Sequence, residues 1–366
     1  MKIALVIFRI GPSHGSLLQT YALSRILKNL GHNVTIINRK DKLSFKTFIK
    51  RTLYRTYKTF RGERFDYIIS TEVMPSRIMK NMNLFVDRHL SSNLVEFTEI
   101  DFKRSAFDAF VIGSDQVWRP KFVQDITYYY LNFAKSFKNI KRISYAASFG
   151  VDNWEYSEEE TVLCKKLAQL FDAISVREDS GVTLCNKYLD VRATHVLDPT
   201  MLLDDVDYIK LIGNPCLTSP TKTLAYSILD QGVIKKSIID KVSKNLDLTP
   251  ISIKADESEL NYVETSIEFW LDEIRKSFFV ITDSFHATVF AIIFNKPFIV
   301  IGNKFRGTGR LSSLLNMFGL VNRMVFEDEN INWEDLLNEN INWEKINTKR
   351  SLLKAESLNF LKKYLS

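Results

Sequence analysis

Cysteine is scarce in this 366-residue chain: Cys164, Cys185 and Cys216 are odd in number, and none sits in a C-x-x-C pair. That argues against a disulfide framework or a zinc module and makes a reducing cytosol the expected setting. Long apolar runs are also lacking. A spanning helix needs ~20 uninterrupted apolar residues, and the best candidate, 289–301, is broken by Asn295, Lys296 and Pro297. The opening MKIALVIFRI has no small-residue cleavage site and reads as a first strand, so a soluble, cytoplasmic protein is expected. There is no G-x-G-x-x-G fingerprint, no recognisable nucleic-acid module and no cluster of metal-ligand residues. A dinucleotide, a nucleic-acid partner and a metal are therefore not expected. Glycine (13) and proline (8) are few, and 45% apolar with 25% charged residues is ordinary globular composition.

What is present is unevenly charged. Of the net +7, a surplus of eight lies in RKDKLSFKTFIKRTLYRTYKTFRGER (39–64), where ten Lys or Arg stand against Asp41 and Glu63. Phe45, Phe48, Ile49, Leu53, Tyr57 and Phe60 recur there at helical spacing, which predicts a basic amphipathic helix or helix pair. Such a helix either packs its aromatics inward and solvates its lysines, or rests on anionic lipid or an anionic substrate.

The length calls for two domains. KIALVIF, RIGPSHGS, LLQTYALSRILKNLG and HNVTIIN read as strand, loop, helix and strand, with Gly31 closing the helix. This βαβ unit implies a parallel sheet with a ligand crevice at its carboxyl ends. FDAFVIGSDQVW, KRISYAASFG and SEEETVLCKKLAQLFDAISVRED continue the series. The pattern loosens over 191–222, and the domain junction is expected there. A second series follows, with strands at TLAYSIL, PISIK, FFVITD and PFIVIG separated by helices at 231–246, SIEFWLDEIRKS and SFHATVFAIIFN. The fold class is α/β, two Rossmann-like domains facing across a cleft, with boundaries expected at 1–205 and 218–345. A helix over 346–366 should pack back on the first domain. ENINWE occurs at both 329–334 and 339–344, and Asn332 and Asn342 are expected to cap two short helices.

In a parallel sheet the informative residues follow the strands. After the first strand, His14, Gly15 and Ser16 lie at a helix N-terminus, which favours an anion. GSDQVW (Gly113, Ser114, Asp115, Gln116) places a carboxylate where it could take a proton from a hydroxyl, or else forms an Asx-type turn. ISVREDS ends an apolar strand in Arg177, which either presents a planar fork to a carboxylate or phosphate or pairs with neighbouring acids. In FFVITDSFHA, Asp283 or Ser284 is the expected N-cap, which puts His286 in the first helical turn. The dipole there lowers an imidazole pKa unless an anion sits beside it.

Six segments in this order resemble the polysaccharide pyruvyl transferase family: HGSLLQTYALSRILKNLGHNVTII, FDAFVIGSDQVW, RISYAASFG, ISVRED, VLDPTMLL and VITDSFHATVFAIIFNKPFIVI. The resemblance implies a GT-B-like architecture and transfer of a pyruvyl group from phosphoenolpyruvate to a sugar as a ketal. It requires no metal or cofactor. The acceptor is a saccharide of a surface polysaccharide or its lipid-linked precursor, and 39–64 is then a candidate contact with an anionic membrane at the inner face. Arg177 matches the family's donor-binding arginine and His286 its helix-start histidine. Some members carry Arg-Leu-His where this chain has Ser284-Phe285-His286, so one arginine is replaced, and Arg310 or Lys304 in GNKFRGTGRLSSLL could supply its charge. The roles implied are His286 as anion ligand and proton donor and Asp115 as hydroxyl base. A nucleotide-sugar glycosyltransferase of the same fold and a non-catalytic sugar-binding protein are the rival readings.

Overall fold

The computed structural model describes residues 1–39, 77–96, 106–213, 221–230, 232–256, 262–302, 308–327 and 331–366. Cys216, Lys304 and all of the basic stretch 39–64 except Arg39 lie outside the described residues.

The first sheet has seven strands, β1 (Lys2–Val6), β2 (Asn33–Asn38), β3 (Leu94–Glu96), β4 (Ala109–Ile112), β5 (Lys141–Ala147), β6 (Ala173–Val176) and β7 (Thr194–His195). They run parallel in the order β3-β2-β1-β4-β5-β6-β7. Ile3 to Val6 and Ala109 to Ile112 are all 0% exposed, as expected of unalternating apolar strands covered on both faces. The covering helices are α1 (His14–Asn29), α2 (Lys80–His89), α3 (Glu158–Ala168) and α4 (Asp179–Leu184). Ser13 caps α1 by accepting from Ser16 N, and Gly31 ends it at φ +88. The strand order reverses between β1 and β4, so the loops after these two strands part and open a crevice.

Residues 191–213 are more ordered than their sequence suggests. They hold β7, a 3-10 turn at Pro199–Leu202 and α5 (Asp205–Ile212). These pieces are too short to show a period, and tertiary packing decides them: Tyr208 of α5 meets Phe290 edge-on at 4.7 Å.

The second sheet has five parallel strands, β8 (Thr223–Ser227), β9 (Thr249–Ser252), β10 (Phe279–Thr282), β11 (Phe298–Ile301) and β12 (Met324–Val325). Their order is β12-β11-β10-β8-β9, and the reversal falls between β8 and β10. Helices α6 (Val233–Leu246), α7 (Ile267–Lys276), α8 (Phe285–Ile293) and α9 (Gly309–Phe318) flank it. All nine residues of α8 are buried, because FHATVFAII has no polar face to turn outward.

One apolar cluster joins the two sheets, with Leu5 and Leu18 from the first and Val280 and Phe290 from the second. Asn332 and Asn342 both cap helices, accepting from Asp335 N and Lys345 N. Only α10 (Trp333–Asn338) is short, however; Trp343 opens the 23-residue closing helix α11 (Trp343–Leu365). The polar residues after Trp343 hide that continuation. Helix α11 returns to the first sheet, where Ser357 Oγ accepts from Leu197 N at 3.0 Å and Lys354 reaches Asp204 at 2.8 Å. Among the described residues no helix is long and apolar enough to cross a membrane.

Candidate active site

The crevices of the two sheets face each other and form one cleft of about 1100 Å³. That lies at the upper end of ordinary ligand pockets, which run to about 1,000 Å³. The loops at the strand-order reversals, those after β1, β4, β8 and β10, form much of its walls, and residues of α7, α9 and the segments after β9, β11 and β12 complete them.

Each letter of TDS anchors the loop that presents His286. Thr282 Oγ donates to Ser227 O at 2.7 Å and accepts from Ser284 N at 2.9 Å. Asp283 is not the helix cap. Its carboxylate accepts from Leu229 N, Asp230 N and the buried Lys235 ammonium, at 2.7, 3.2 and 2.9 Å, and so ties the loop after β8 to the end of β10. Ser284 caps α8 by accepting from Ala287 N. His286 therefore occupies the second position of α8.

Gly15 occupies the corresponding second position of α1, directly against that imidazole. A Cβ added at Gly15 would lie 2.0 Å from His286 Nδ1 and 2.2 Å from Cγ. The first turns of α1 and α8 thus converge, and neither contains an acidic residue. Two positive helix ends meet at one point. His14, the other N-terminal candidate, is used differently: its ring stacks on Trp270 at 5.4 Å, and Nε2 donates to Thr265 O at 2.9 Å. Burial lowers its pKa to about 3, so it is a neutral joint between the domains. Ser16 and Ser13 lie at the cleft wall beside Gly15.

After β4, Asp115 has φ +84, an unusual conformation for a residue with a Cβ. It is held there by Ser148 N donating to its carbonyl at 3.0 Å. Its Oδ1 accepts from the next residue's N–H, Gln116 N at 2.8 Å, and not from the residue two along, so the expected Asx-type turn does not form and the side chain borders the cleft. Gln116 also borders it, with Oε1 accepting from Arg119 Nη1 at 3.1 Å. Gly113 and Ser114 lie behind the wall: Gly113 packs on Leu5, and Ser114 Oγ accepts from Gln19 at 2.6 Å.

Arg177 is likewise behind the wall rather than in it, with its side chain 1% exposed. Nη1 donates to Asp198 Oδ2 at 3.0 Å, and Nη2 stands 3.8 Å from Asp115 Oδ1. Its position at the end of β6 is legible in the sequence, but its partner arrives with the chain beyond β7. Arg310, in the first turn of α9, is one of the cations that border the cleft, with Arg9, Arg119, Lys235 and Lys254. Arg310 is half-buried, and its Nε, which is buried, has no hydrogen-bond partner. Burial and the nearby Arg177 draw its pKa down to about 10, against the pull of Glu178 and Asp115. Phe285 lies between the two arginines, with its ring centroid 4.4 Å from the Arg177 guanidinium carbon and 5.9 Å from that of Arg310.

The residue that sequence reasoning passed over is Asp198, in VLDPT, whose side chain is 1% exposed. Oδ1 accepts from Thr200 N at 3.0 Å and Thr200 Oγ at 2.6 Å, while Oδ2 accepts from Gln19 at 2.5 Å and Arg177 at 3.0 Å. Burial works to raise its pKa, but Arg177, His286 and the Thr200 donors outweigh that and hold it below the usual carboxylate range. The available signals were an Asp-Pro pair following a short strand and its place in VLDPTMLL, one of the six family-like segments. His286 Nε2 lies 3.9 Å from Asp198 Oδ2 and has no hydrogen-bond partner. Burial lowers the His286 pKa to about 4, a stronger cause than the dipole alone; Asp198 and Asp115 oppose it, and Arg177 and Arg310 reinforce it.

The cleft floor therefore combines an arginine whose Nε has no hydrogen-bond partner, two helix N-termini and a neutral imidazole, with the Asp115 carboxylate alongside. It can hold a multiply charged anion and move protons next to it.

Residues 14–304 match the model of a family described as polysaccharide pyruvyl transferase. No curated protein matches the sequence. Among solved structures, a Listeria monocytogenes protein named as a candidate UDP-N-acetylglucosamine 2-epimerase is similar at 12% identity and a TM-score of 0.51, covering 100% of this chain and 97% of its own. Arabidopsis thaliana UGT89C1 complexed with UDP is similar at 11% identity and a TM-score of 0.51, covering 98% of each chain. At these identities the likeness concerns the fold alone, a two-domain GT-B architecture.

Proposed function

This chain belongs to the polysaccharide pyruvyl transferase family, and from that premise we propose that it transfers a pyruvyl group from phosphoenolpyruvate to two hydroxyls of a saccharide, forming a ketal. The observation that carries the reading is the meeting of the α1 and α8 N-termini at Gly15 and His286, beside an Arg310 whose Nε has no hydrogen-bond partner. Phosphoenolpyruvate carries a carboxylate and a phosphate, and a site for it needs backbone N–H groups and a cationic fork. Arg310 takes the part of the arginine that some family members have at the position of Ser284, whose own hydroxyl caps α8. Arg177 contributes from behind, through Asp198 and Phe285.

In the reaction, His286 protonates the methylene carbon, and the electron pair of the double bond becomes the new C–H bond. C2 is left oxocarbenium-like. One acceptor hydroxyl adds to C2 and yields its proton to Asp115. The bond from C2 to the phosphate oxygen then breaks, and phosphate leaves with the proton from Asp115. The second hydroxyl closes the ketal, and its proton restores His286. A general acid and a general base each contribute roughly 10²–10⁴ in rate. The basic stretch 39–64 fits a lipid-linked acceptor at an anionic membrane face. Binding to anionic vesicles should weaken as salt rises, and indifference to both lipid charge and salt would remove this part of the reading.

The test is ligand-dependent melting. Phosphoenolpyruvate should raise the melting temperature, UDP-sugars should not, and Arg310→Ala should weaken the donor on the order of 10- to 100-fold, as for loss of a charge-assisted hydrogen bond. A shift with a UDP-sugar and none with phosphoenolpyruvate would instead identify a glycosyltransferase.

A further inference from the structure

We propose that Asp198 is a positioning residue that fixes the tautomer of His286, keeping the proton on Nε2 and leaving the Nδ1 lone pair for the donor anion's proton. The inference rests on the donor reading above for its role in turnover, but its structural part stands on the geometry alone.

The imidazole has two unlike sides. Nε2 faces Asp198 Oδ2 at 3.9 Å, and Nδ1 faces the Gly15 end of α1. An ionised carboxylate only accepts hydrogen bonds, so the nitrogen turned towards it is stabilised as N–H and destabilised as a lone pair. Helix α1 presents the opposite condition, because its first-turn N–H groups and positive dipole end favour a lone pair. Both neighbours therefore select the same tautomer. Asp198 can hold this role because its charge is locked in place: Thr200, Gln19 and Arg177 supply four donors, and none of these is free to rotate into the cleft. The charged groups that bear on the ring from the surrounding elements are Asp198 beyond β7, Arg177 after β6, Asp115 after β4 and Arg310 in α9.

The functional consequence follows. In the free enzyme the ring is neutral and waits with Nδ1 unprotonated. An anion bound at the two helix ends adds negative charge on the Nδ1 side, and the ring takes up a proton there, with Asp198 already in place as counter-charge on the far side. That proton is then delivered to the methylene carbon, and the ring returns to its Nε2–H form.

The experiment is nitrogen-15 NMR on histidine-labelled protein, with the His286 signals assigned by their loss in His286→Gln. In the free wild-type protein at pH 7, Nε2 should show the shift of a protonated nitrogen and Nδ1 that of a lone pair. The reverse pattern would overturn the proposal, and it would do so whether or not phosphoenolpyruvate is the donor. Saturating inorganic phosphate should move the midpoint of ring protonation upward; an unmoved midpoint would overturn the coupling to the anion. In Asp198→Asn the neutral amide can offer N–H to the ring, so the tautomer should invert, and kcat should fall on the order of 10²-fold while the KM for phosphoenolpyruvate changes little. A tautomer unchanged in a folded Asp198→Asn protein would refute the assignment. If that variant does not fold, Asp198→Ser, which removes the charge and leaves α1 alone to act on the ring, should lower the Nε2–H share, and an unchanged share would refute the assignment.

Discussion

Gly15→Ala is a test of the site in which the sign of the effect depends on one contact. Gly15 has no left-handed φ, and α1 gains by the change: alanine is favoured over glycine inside a helix by about 1 kcal/mol. Taken alone, the substitution should stabilise. The new methyl, however, would stand 2.0 Å from His286 Nδ1, 2.2 Å from Cγ and 2.6 Å from Cε1. Ordinary contact begins near 3.5 Å, so the ring must shift by roughly 1.5 Å. Its escape is bounded by Asp198 on the other side. Overpacking of this kind costs about 1–3 kcal/mol, which exceeds the helical gain. A ring displaced by that much should also lower turnover on the order of 10²-fold. The assay is a double-mutant cycle by urea denaturation, with phosphate release from phosphoenolpyruvate as the activity readout. Gly15→Ala should destabilise the wild-type protein, whereas in a His286→Ala background it should be neutral or stabilising. The coupling energy should be at least about 1 kcal/mol. A wild-type-like Gly15→Ala enzyme, or a cost that persists without the imidazole, would refute the contact and the convergence of helices built on it.

Stability should fall in acid in a defined window. His14 and His286 have folded pKa values of about 3 and about 4, below the unfolded value of 6.5, so the unfolded chain binds more protons between these limits. Their contribution is complete above pH 6.5 and is lost as pH falls towards 4; for His286 alone it is worth about 3 kcal/mol. Urea midpoints from pH 7.5 to 4.5 should drop accordingly, and His286→Gln should flatten part of that slope. A level profile would show the rings to be far less buried. Asp283→Ala should cost about 3–5 kcal/mol, because it leaves the buried Lys235 ammonium and two loop N–H groups without their acceptor. Adding Lys235→Met should recover most of the loss in the denaturation midpoint. No recovery would mean that the pair is not what holds the loop.

Sequence periodicity located the strands and helices of the second sheet closely, since strands such as FFVITD and PFIVIG are bounded apolar runs between helices with a 3.6-residue period. It also located the loops, because parallel sheets place their working residues after the strands. It could not tell the wall from what lies behind it. Arg177 and Arg310 both read as available cations, but Asp198, 21 residues beyond Arg177, pairs with the first and leaves the second facing the cleft. Nothing local to either arginine encodes that choice. The same is true of Gly113 and Ser114, whose neighbours come from β1 and α1. The closing helix was misread at its start for another reason: a capping signal marks where a helix begins and carries no information about its length.

The joint made by His14 has a mechanical consequence. His14 and Gly15 are adjacent in the chain, and one clamps the second domain through Trp270 and Thr265 while the other forms a wall of the anion pit. The interdomain contact and the pit wall are thus neighbouring residues in one helical turn. A rotation that opened the cleft would strain or unstack the His14 contact, and in doing so would shift Gly15 relative to His286. Opening the cleft and loosening the anion pit would therefore be one motion.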